Sequence, residues 1–279
     1  MATLDDQLPV FAGQGRPGAN LWTESIVALD LETGKLKWYF QVSPHDTHDF
    51  DNTTAPILFD RLVDGKPRKL LAQAARNGFF VTLDRVTGKY VVVKPYVPLD
   101  YASGLTPEGE PVPIPDMDPS VGGSINIVNA SNWPAPSYSP KTGLMYVNSV
   151  EGNAIYYLTD DSKKPSGYGG TGTGIGRAVR VLQAIDPVTG NAAWTHAYPN
   201  LDDAPTTLGP SILTTASNLL ISGDDQKNMI IFSSDKGEIL WHHELNANES
   251  GGIISYMLDG KQYVVLGAGD RLYAWSLRE

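Results

Sequence analysis

The chain of 279 residues contains no cysteine. Disulfides, thiolate metal sites and cysteine nucleophiles are therefore excluded together. The compartment stays open on this ground alone, because a protein without disulfides can occur in both oxidising and reducing surroundings.

The sequence also lacks long apolar runs and clusters of basic residues. No apolar run approaches the ~18 residues of a membrane-spanning helix, and the N-terminus shows no basic-then-apolar leader. We therefore expect neither a membrane span nor a signal peptide. Asp and Glu (31) outnumber Lys and Arg (21), which gives a net charge of −10. This balance argues against a nucleic-acid partner, since binding phosphates requires a basic surface.

Helical patterning is missing as well. No window shows the sustained i, i+3, i+4, i+7 spacing of apolar residues that marks an amphipathic helix. Instead, 28 glycines and 20 prolines separate short alternating bursts of Tyr, Thr and Val. This pattern is typical of many short strands joined by tight turns, and it predicts an all-β protein.

A repeated motif organises these strands. Segment 28–38 has the pattern A-x-D-x-x-T-G-x-x-x-W, and segment 184–194 keeps every fixed position. Segments 82–92 and 231–241 are degraded copies, with valine replacing the tryptophan in the first and serine replacing the aspartate in the second. In each unit we expect a strand to end at the aspartate and Thr-Gly to form the turn. The next strand then carries a tryptophan that covers the neighbouring sheet.

Four strands per unit, repeating every ~40–50 residues, predict a β-propeller. The chain is then a single domain of about four blade equivalents, either an arc of a larger propeller or a small ring closed by its N- and C-terminal strands. The expected half blade, three blades and partial last blade are 25–41, 54–94, 134–198, 207–246 and 252–277. Loop insertions are expected at 95–131 and 151–177. We expect a homodimer to cover the exposed edges of an open arc.

The repeat and its surroundings resemble the quinoprotein alcohol dehydrogenases, a family of eight-bladed propellers that bind pyrroloquinoline quinone (PQQ) and calcium. The similar stretches follow the order of that family and comprise 18–41, 44–51, 75–89, 132–147 and 254–265. The resemblance covers roughly the C-terminal half of the family and implies a truncated propeller. It also implies an alcohol as substrate, PQQ and calcium as cofactors, and a periplasmic location.

Four residues match functional positions of that family. Ala19 stands where the family has an aspartate that serves as catalytic base and calcium ligand. Alanine can neither accept the alcohol proton nor coordinate a hard cation. Arg76 matches the basic residue that bonds the quinone carbonyl oxygens, where a guanidinium stabilises developing negative charge. Asn132 and Trp133 match an Asn-Trp pair at the cofactor, the first as a bonding partner and the second as packing at the rim.

Two other signals are weaker. In the sequence His-Asp-Thr-His-Asp-Phe-Asp (45–51), His45, His48 and Asp49 are the best candidates for binding a metal. Their spacing differs from the helical i, i+4 histidine pair of the common zinc motif, so we assign no metal ligand. The Gly-x-Gly-x-x-Gly pattern at 167–172 follows a polar segment and precedes a strand-like run, which argues against a dinucleotide site.

Two functions stay open at this stage. The extent of the resemblance favours an oxidoreductase that oxidises an alcohol by hydride transfer to PQQ. The missing base at Ala19 favours a non-catalytic β-propeller that acts as a binding or scaffold protein, since one architecture hosts unrelated functions.

Overall fold

The computed structural model describes residues 13, 16–160, 168–199 and 210–276. Over these ranges the chain forms strands β1 to β20 and almost no helix, as the all-β prediction requires. The described part of the chain has no helix long and apolar enough to cross a membrane.

The strands form successive antiparallel sheets along the chain. The first sheet pairs β1 (Ser25–Leu29) with β2 (Leu36–Gln41). The second has the order β3 (Ile57–Val63), β4 (Lys66–Ala74), β5 (Phe79–Asp84) and β6 (Tyr90–Pro95). A small hairpin, β7 (Ala102–Leu105) and β8 (Pro111–Pro113), precedes a 3-10 turn at Pro115–Met117 and strand β9 (Ser124–Ala130).

The third sheet has the order β10 (Ser137–Ser139), β11 (Leu144–Asp160), β12 (Tyr168–Asp186) and β13 (Asn191–Ala197), and β9 pairs with β11. The fourth consists of β14 (Leu213–Thr214), β15 (Leu219–Gly223), β16 (Asn228–Ser233) and β17 (Ile239–Glu244). The last consists of β18 (Glu249–Leu258), β19 (Lys261–Ala268) and β20 (Arg271–Ser276). Apart from β9, each strand of these sheets pairs with its neighbour in sequence, so each sheet is a local meander.

The repeated motif forms the turn between the last two strands of a sheet. At the first copy, Oδ1 of Asp30 accepts hydrogen bonds from the backbone N–H groups of Glu32 and Thr33 at 3.2 and 3.0 Å. Gly34 follows at φ +66°, a left-handed conformation that favours glycine. Asp84 accepts the equivalent bonds in the second copy, so the aspartate and the Thr-Gly pair act as one turn-forming unit.

The motif tryptophans contact the next sheet of the propeller. Nε1 of Trp38 donates to the carbonyl oxygen of Arg85 at 3.1 Å, and its indole lies so close to Gly88 that a Cβ there would meet it at 2.7 Å. Trp194 repeats this arrangement two sheets later: Nε1 donates to the Ser234 carbonyl oxygen at 3.1 Å, and the ring covers Gly237. Each tryptophan thus closes the outer edge between two consecutive sheets.

Separate hydrophobic clusters fill the spaces between consecutive sheets. One includes Val42, Val81 and Leu83 between the first and second sheets. The other three lie between the second and third, the third and fourth, and the fourth and last sheets. Side chains at their centres, such as Leu70 and Phe232, are fully buried. Burial of each such side chain stabilises the fold by about 1.5–3 kcal/mol.

The segments expected as loop insertions contain regular structure. Segment 95–131 holds β7, β8 and β9, and β11 and β12 extend through most of 151–177 as one long hairpin. The glycine-rich part forms a strand because Tyr156 lies opposite Gly172 and its ring covers that glycine, so that a Cβ there would meet the ring at 2.6 Å. Residues 161–167 of this insertion, 207–209 of the expected third blade and 277 of the last lie outside the described residues.

Candidate functional site

Arg76 lies in the short turn between β4 and β5. The next residue, Asn77, is buried and fixes this turn: Nδ2 donates to the Val42 carbonyl oxygen at 2.8 Å, and Oδ1 accepts the Phe79 N–H at 3.1 Å. The Arg76 side chain is 29% exposed, and its Nη1 donates to Oδ2 of Asp51 at 2.6 Å. One donor of the guanidinium is thus engaged, while part of the side chain still reaches solvent.

The partner of Arg76 belongs to a short connecting segment, residues 51–54, that leads from the first sheet to the second. Its backbone is fixed through Gln73, whose Oε1 accepts from Nδ2 of Asn52 at 3.0 Å and whose Nε2 donates to the Thr54 carbonyl oxygen at 2.6 Å. Gln73 is 2% exposed, so these bonds are shielded from water. Segment 51–54 therefore has one fixed conformation beside Arg76.

The same segment holds Asn132. Thr53 Oγ1 donates to Asn132 Oδ1 at 2.5 Å, and Thr54 Oγ1 donates to the Asn132 carbonyl oxygen at 2.8 Å. The structure thus brings Asn132 and Arg76 to the two sides of one segment. Asn132 is only 1% exposed, so its side chain connects segments of the fold and presents no surface to a ligand.

Trp133 has the opposite environment to its neighbour. It is 68% exposed and lines a cavity of about 590 Å³ whose other walls come from the starts of the fourth and last sheets. The Asn-Trp pair inferred from the resemblance therefore divides between a buried amide and an exposed indole.

Ala19 lies in an exposed segment just before β1. Its carbonyl oxygen accepts hydrogen bonds from Nε2 of Gln41 at 2.7 Å and from the backbone N–H of His45 at 3.1 Å. These bonds fix the backbone at this position, but the methyl side chain offers neither a proton acceptor nor a cation ligand.

The candidate metal ligands have separate surroundings. His48 is buried, with Nε2 3.1 Å from the Met117 carbonyl oxygen and its ring stacked on Phe50. His45 instead places Nδ1 2.9 Å from the Gly18 carbonyl oxygen. Within residues 13, 16–160, 168–199 and 210–276, no group of three or more His, Asp or Glu side chains is arranged to hold a metal ion. Asp49, the third candidate, is half-buried with φ +61°.

Sequence reasoning missed two buried carboxyl groups, Glu24 and Asp46, of which Glu24 interacts with Arg76. Oε1 of Glu24 accepts the Asn52 N–H at 3.1 Å, and burial, together with the charges of Asp46 and Asp51, raises the pKa of Glu24 to about 8. Burial also raises the pKa of Asp46, although its carboxylate accepts two backbone N–H groups. An isolated acid at a strand start, such as Glu24, looks like any surface residue until the fold encloses it.

Comparison with known proteins identifies the family. The family model described as PQQ: glucose/ethanol/alcohol dehydrogenase, beta-propeller domain, matches residues 3–107 and 181–264. A quinohemoprotein alcohol dehydrogenase of Comamonas testosteroni is 34% identical over 274 residues, which cover 90% of this chain and 37% of that protein. The quinoprotein alcohol dehydrogenase PedH of Pseudomonas putida is 34% identical over 279 residues, covering 94% of this chain and 46% of that protein.

A solved structure shows the same architecture. The quinohemoprotein alcohol dehydrogenase ADHIIG of Pseudomonas putida HK5 superposes with a TM-score of 0.78 at 28% identity, over 91% of this chain and 40% of its own. The chain thus spans less than half the length of the relatives it matches. The family model nonetheless covers more than half of the chain, and the chain belongs to the PQQ-containing glucose/ethanol/alcohol dehydrogenase β-propeller family.

Proposed function

We propose that this chain forms the quinone-carbonyl side of a PQQ-dependent alcohol dehydrogenase site, with Arg76 as its main polar contact. The observation that carries the proposal is the partly exposed guanidinium of Arg76, fixed by Asp51 in a rigid turn of a chain that belongs to this family. A positioned guanidinium suits a planar, anionic ligand because its N–H groups lie in a fixed fork.

The other residues fit PQQ unequally. Trp133 is exposed and suited to pack against the rim of an aromatic ligand. Asn132 fits a direct contact poorly, because its carboxamide oxygen already accepts from Thr53 and it is almost fully buried. Its role in the proposal is to hold segment 51–54, and with it Asp51, against the third sheet.

Calcium fits neither the position that the resemblance assigns to it nor the two histidines of the 45–51 motif. Ala19 has no oxygen ligand in its side chain, and His45 and His48 turn their rings to different backbone carbonyl groups. Calcium prefers six to eight oxygen ligands, several of them carboxylates. We derive no step through a metal at this position.

The reaction is constrained by what the chain supplies. PQQ, when bound, accepts the hydride equivalent released in alcohol oxidation. Arg76 would stabilise negative charge that develops on an oxygen beside it, an effect worth about 3–4 kcal/mol in preorganised sites. Removal of the alcohol proton requires a general base, and Ala19 cannot provide one. A missing base costs about 10²–10⁴-fold in rate.

The second candidate function is a non-catalytic β-propeller that binds or scaffolds a partner. Ala19 and the burial of Asn132 favour it, because both remove contacts that the dehydrogenase chemistry would use. The first proposal also includes three further expectations: an alcohol substrate, a periplasmic location and a homodimer. Analytical ultracentrifugation tests for the homodimer.

Titration with PQQ, followed by its absorbance and by protein fluorescence, decides between these functions. We expect R76A to weaken PQQ binding about 10–100-fold, since a charge-assisted hydrogen bond contributes about 1.5–3 kcal/mol. R68A is the matched control. Arg68 lies on β4, the strand that precedes the turn of Arg76, and forms an exposed ion pair with Asp84 in the motif turn. The absence of PQQ binding by the unsubstituted chain would leave the scaffold function as the better account.

A further inference from the structure

A second feature of the molecule is the cavity of about 590 Å³ next to Trp133. Segments 133–135, 210–211 and 248–252 form most of its wall, so that the third, fourth and last sheets all contribute. Arg180 and Asp224 complete the lining, whereas Arg76 takes no part in it. The cavity therefore has a polar lining of its own.

The positive charge in this lining is already balanced. Arg180 is 2% exposed, its Nη2 forms an ion pair with Asp225, and its guanidinium lies 5.6 Å from the centre of the Tyr198 ring. Burial lowers the pKa of Arg180 to about 10, so it stays charged at neutral pH. A buried guanidinium paired in this way offers little net attraction for an anion.

The carboxyl groups exceed what Arg180 balances. Burial raises the pKa of Glu249 to about 8, even though the Ser211 backbone amide and Arg180 act in the opposite direction. The carboxylate of Asp224 accepts the N–H groups of Gln226 and Asn228, both at 2.8 Å. Glu249 is mostly protonated at pH 7, but Asp224 and Asp225 together leave one negative charge in excess of Arg180 around this cavity, which favours a positively charged occupant.

Trp133 adds an aromatic surface to the carboxyl groups. Its exposed indole lines the cavity mouth at the junction of the third sheet with segment 51–54. A cation within ~6 Å of an indole centre is attracted by the ring quadrupole, with a gain of about 0.5–2 kcal/mol. A lining that combines carboxyl groups with an aromatic side chain suits a cation that carries apolar groups better than a strongly hydrated inorganic ion.

We propose that this cavity binds an organic ammonium ion, with its charged group between Glu249 and the indole of Trp133. The site goes beyond the proposed dehydrogenase function, because PQQ is an anion and its main proposed contact, Arg76, lies outside the cavity. Trp133 is shared, since it lines this cavity and is also proposed at the rim of PQQ. Binding of the cation ionises Glu249, and the displaced proton passes to the buffer. Asp224, Asp225, Arg180 and Tyr198 are the other ionisable groups around the site.

Isothermal titration with choline and its neutral isostere 3,3-dimethylbutan-1-ol tests the proposal. We expect choline to bind at least tenfold more tightly than the alcohol at pH 7. E249Q and W133L should each weaken choline binding at least fivefold. The matched controls are E244Q, at the exposed end of β17, and W22L, which removes another exposed tryptophan from the turn before β1. Both controls should bind choline as the unsubstituted chain does.

The proton gives a second readout. The apparent binding enthalpy at pH 7 should differ between Tris and phosphate buffers in the unsubstituted chain, and this difference should vanish in E249Q. Equal binding of choline and the alcohol, or choline binding unaffected by W133L, would overturn the proposal. Displacement of choline by equimolar calcium would assign the cavity to an inorganic cation instead. Because Trp133 is exposed, W133L keeps the test decisive even if E249Q fails to fold.

Discussion

Nη1 of Arg76 donates to Oδ2 of Asp51 over 2.6 Å, and this bond joins the β4–β5 turn to segment 51–54. The carboxylate is 46% exposed, so solvent screens the pair and its contribution to stability is below about 1 kcal/mol. Its importance is electrostatic, because it places a negative charge beside the proposed quinone contact.

The first prediction follows from that charge. D51N should raise PQQ affinity about two- to fivefold, because the carboxylate no longer competes for Arg76 or repels the carboxylates of PQQ. D60N serves as control, since Asp60 forms a comparable exposed pair with Arg85 on the second sheet. Fluorescence titration measures both variants. A fall in affinity for D51N would show that holding Arg76 in place outweighs the repulsion.

The second prediction concerns position 19, where the resemblance implies the family's base. A19D should raise dye-linked alcohol oxidation by at least tenfold over the unsubstituted chain in the presence of PQQ and calcium, because a carboxylate is then available to take the alcohol proton. A19N has nearly the same shape without the basic oxygen and should stay inactive. Equal rates for the two variants would contradict a role for position 19 in proton removal.

The third prediction tests the contact between sheets. W194L should lower the free energy of unfolding by about 2–4 kcal/mol, because it removes both the hydrogen bond to Ser234 and the ring that covers Gly237. W133L removes an indole that is 68% exposed and should change it by less than about 0.5 kcal/mol. Urea denaturation of the two variants gives the comparison, and similar losses would contradict the structural role of Trp194.

The fourth prediction concerns the long hairpin. G172A should destabilise the fold by about 1–3 kcal/mol, because a Cβ would lie 2.6 Å from the Tyr156 ring. At Gly174 the nearest atom to a new Cβ is a backbone oxygen at 3.9 Å, so G174A should be neutral or slightly stabilising. Thermal unfolding distinguishes them. The pairing would be in doubt if G174A were the more damaging change.

The fifth prediction is a pH dependence. The pKa of Glu24 rises from 4.5 to about 8 in the folded chain, so the folded state holds this proton more tightly than the unfolded state. The stability linked to this group is therefore complete below about pH 4.5 and is lost as the pH rises towards 8. E24Q should match the unsubstituted chain at pH 4 and melt at a higher temperature at pH 8. The same difference in melting temperature between E24Q and the unsubstituted chain at both pH values would refute the raised pKa.

The architecture was accessible from the sequence because the repeat encodes its own turn. Within 28–38, the aspartate and the Thr-Gly pair form a turn, and Trp38 contacts the next sheet. Each of these roles requires a particular residue type at a fixed spacing, which makes the motif visible in the sequence. The part of the β11–β12 hairpin within 151–177 was predicted as a loop because its glycines suggest irregular chain. Its pairing depends on Tyr156, which lies opposite in the fold and not beside the glycines in sequence.

The candidate site was accessible only in part for a similar reason. The resemblance pointed to Arg76 but not to its partner Asp51. That pairing depends on segment 51–54 lying beside the β4–β5 turn in the fold. Glu24, Arg180 and Glu249 carry no motif. Their unusual pKa values arise from burial, which is a property of the assembled sheets.

A separate hydrophobic cluster joins each pair of consecutive sheets, so the stability of each sheet depends on the sheets directly beside it. Within the part of the chain that the structure describes, each interior sheet packs against a cluster on two sides, while the first and last sheets pack against one. Such a stack behaves as a one-dimensional chain of coupled units, in which opening begins at an end and spreads inwards. Amide hydrogens of β11 and β12 near Leu182 should therefore exchange last, and those of β1 and β20 first.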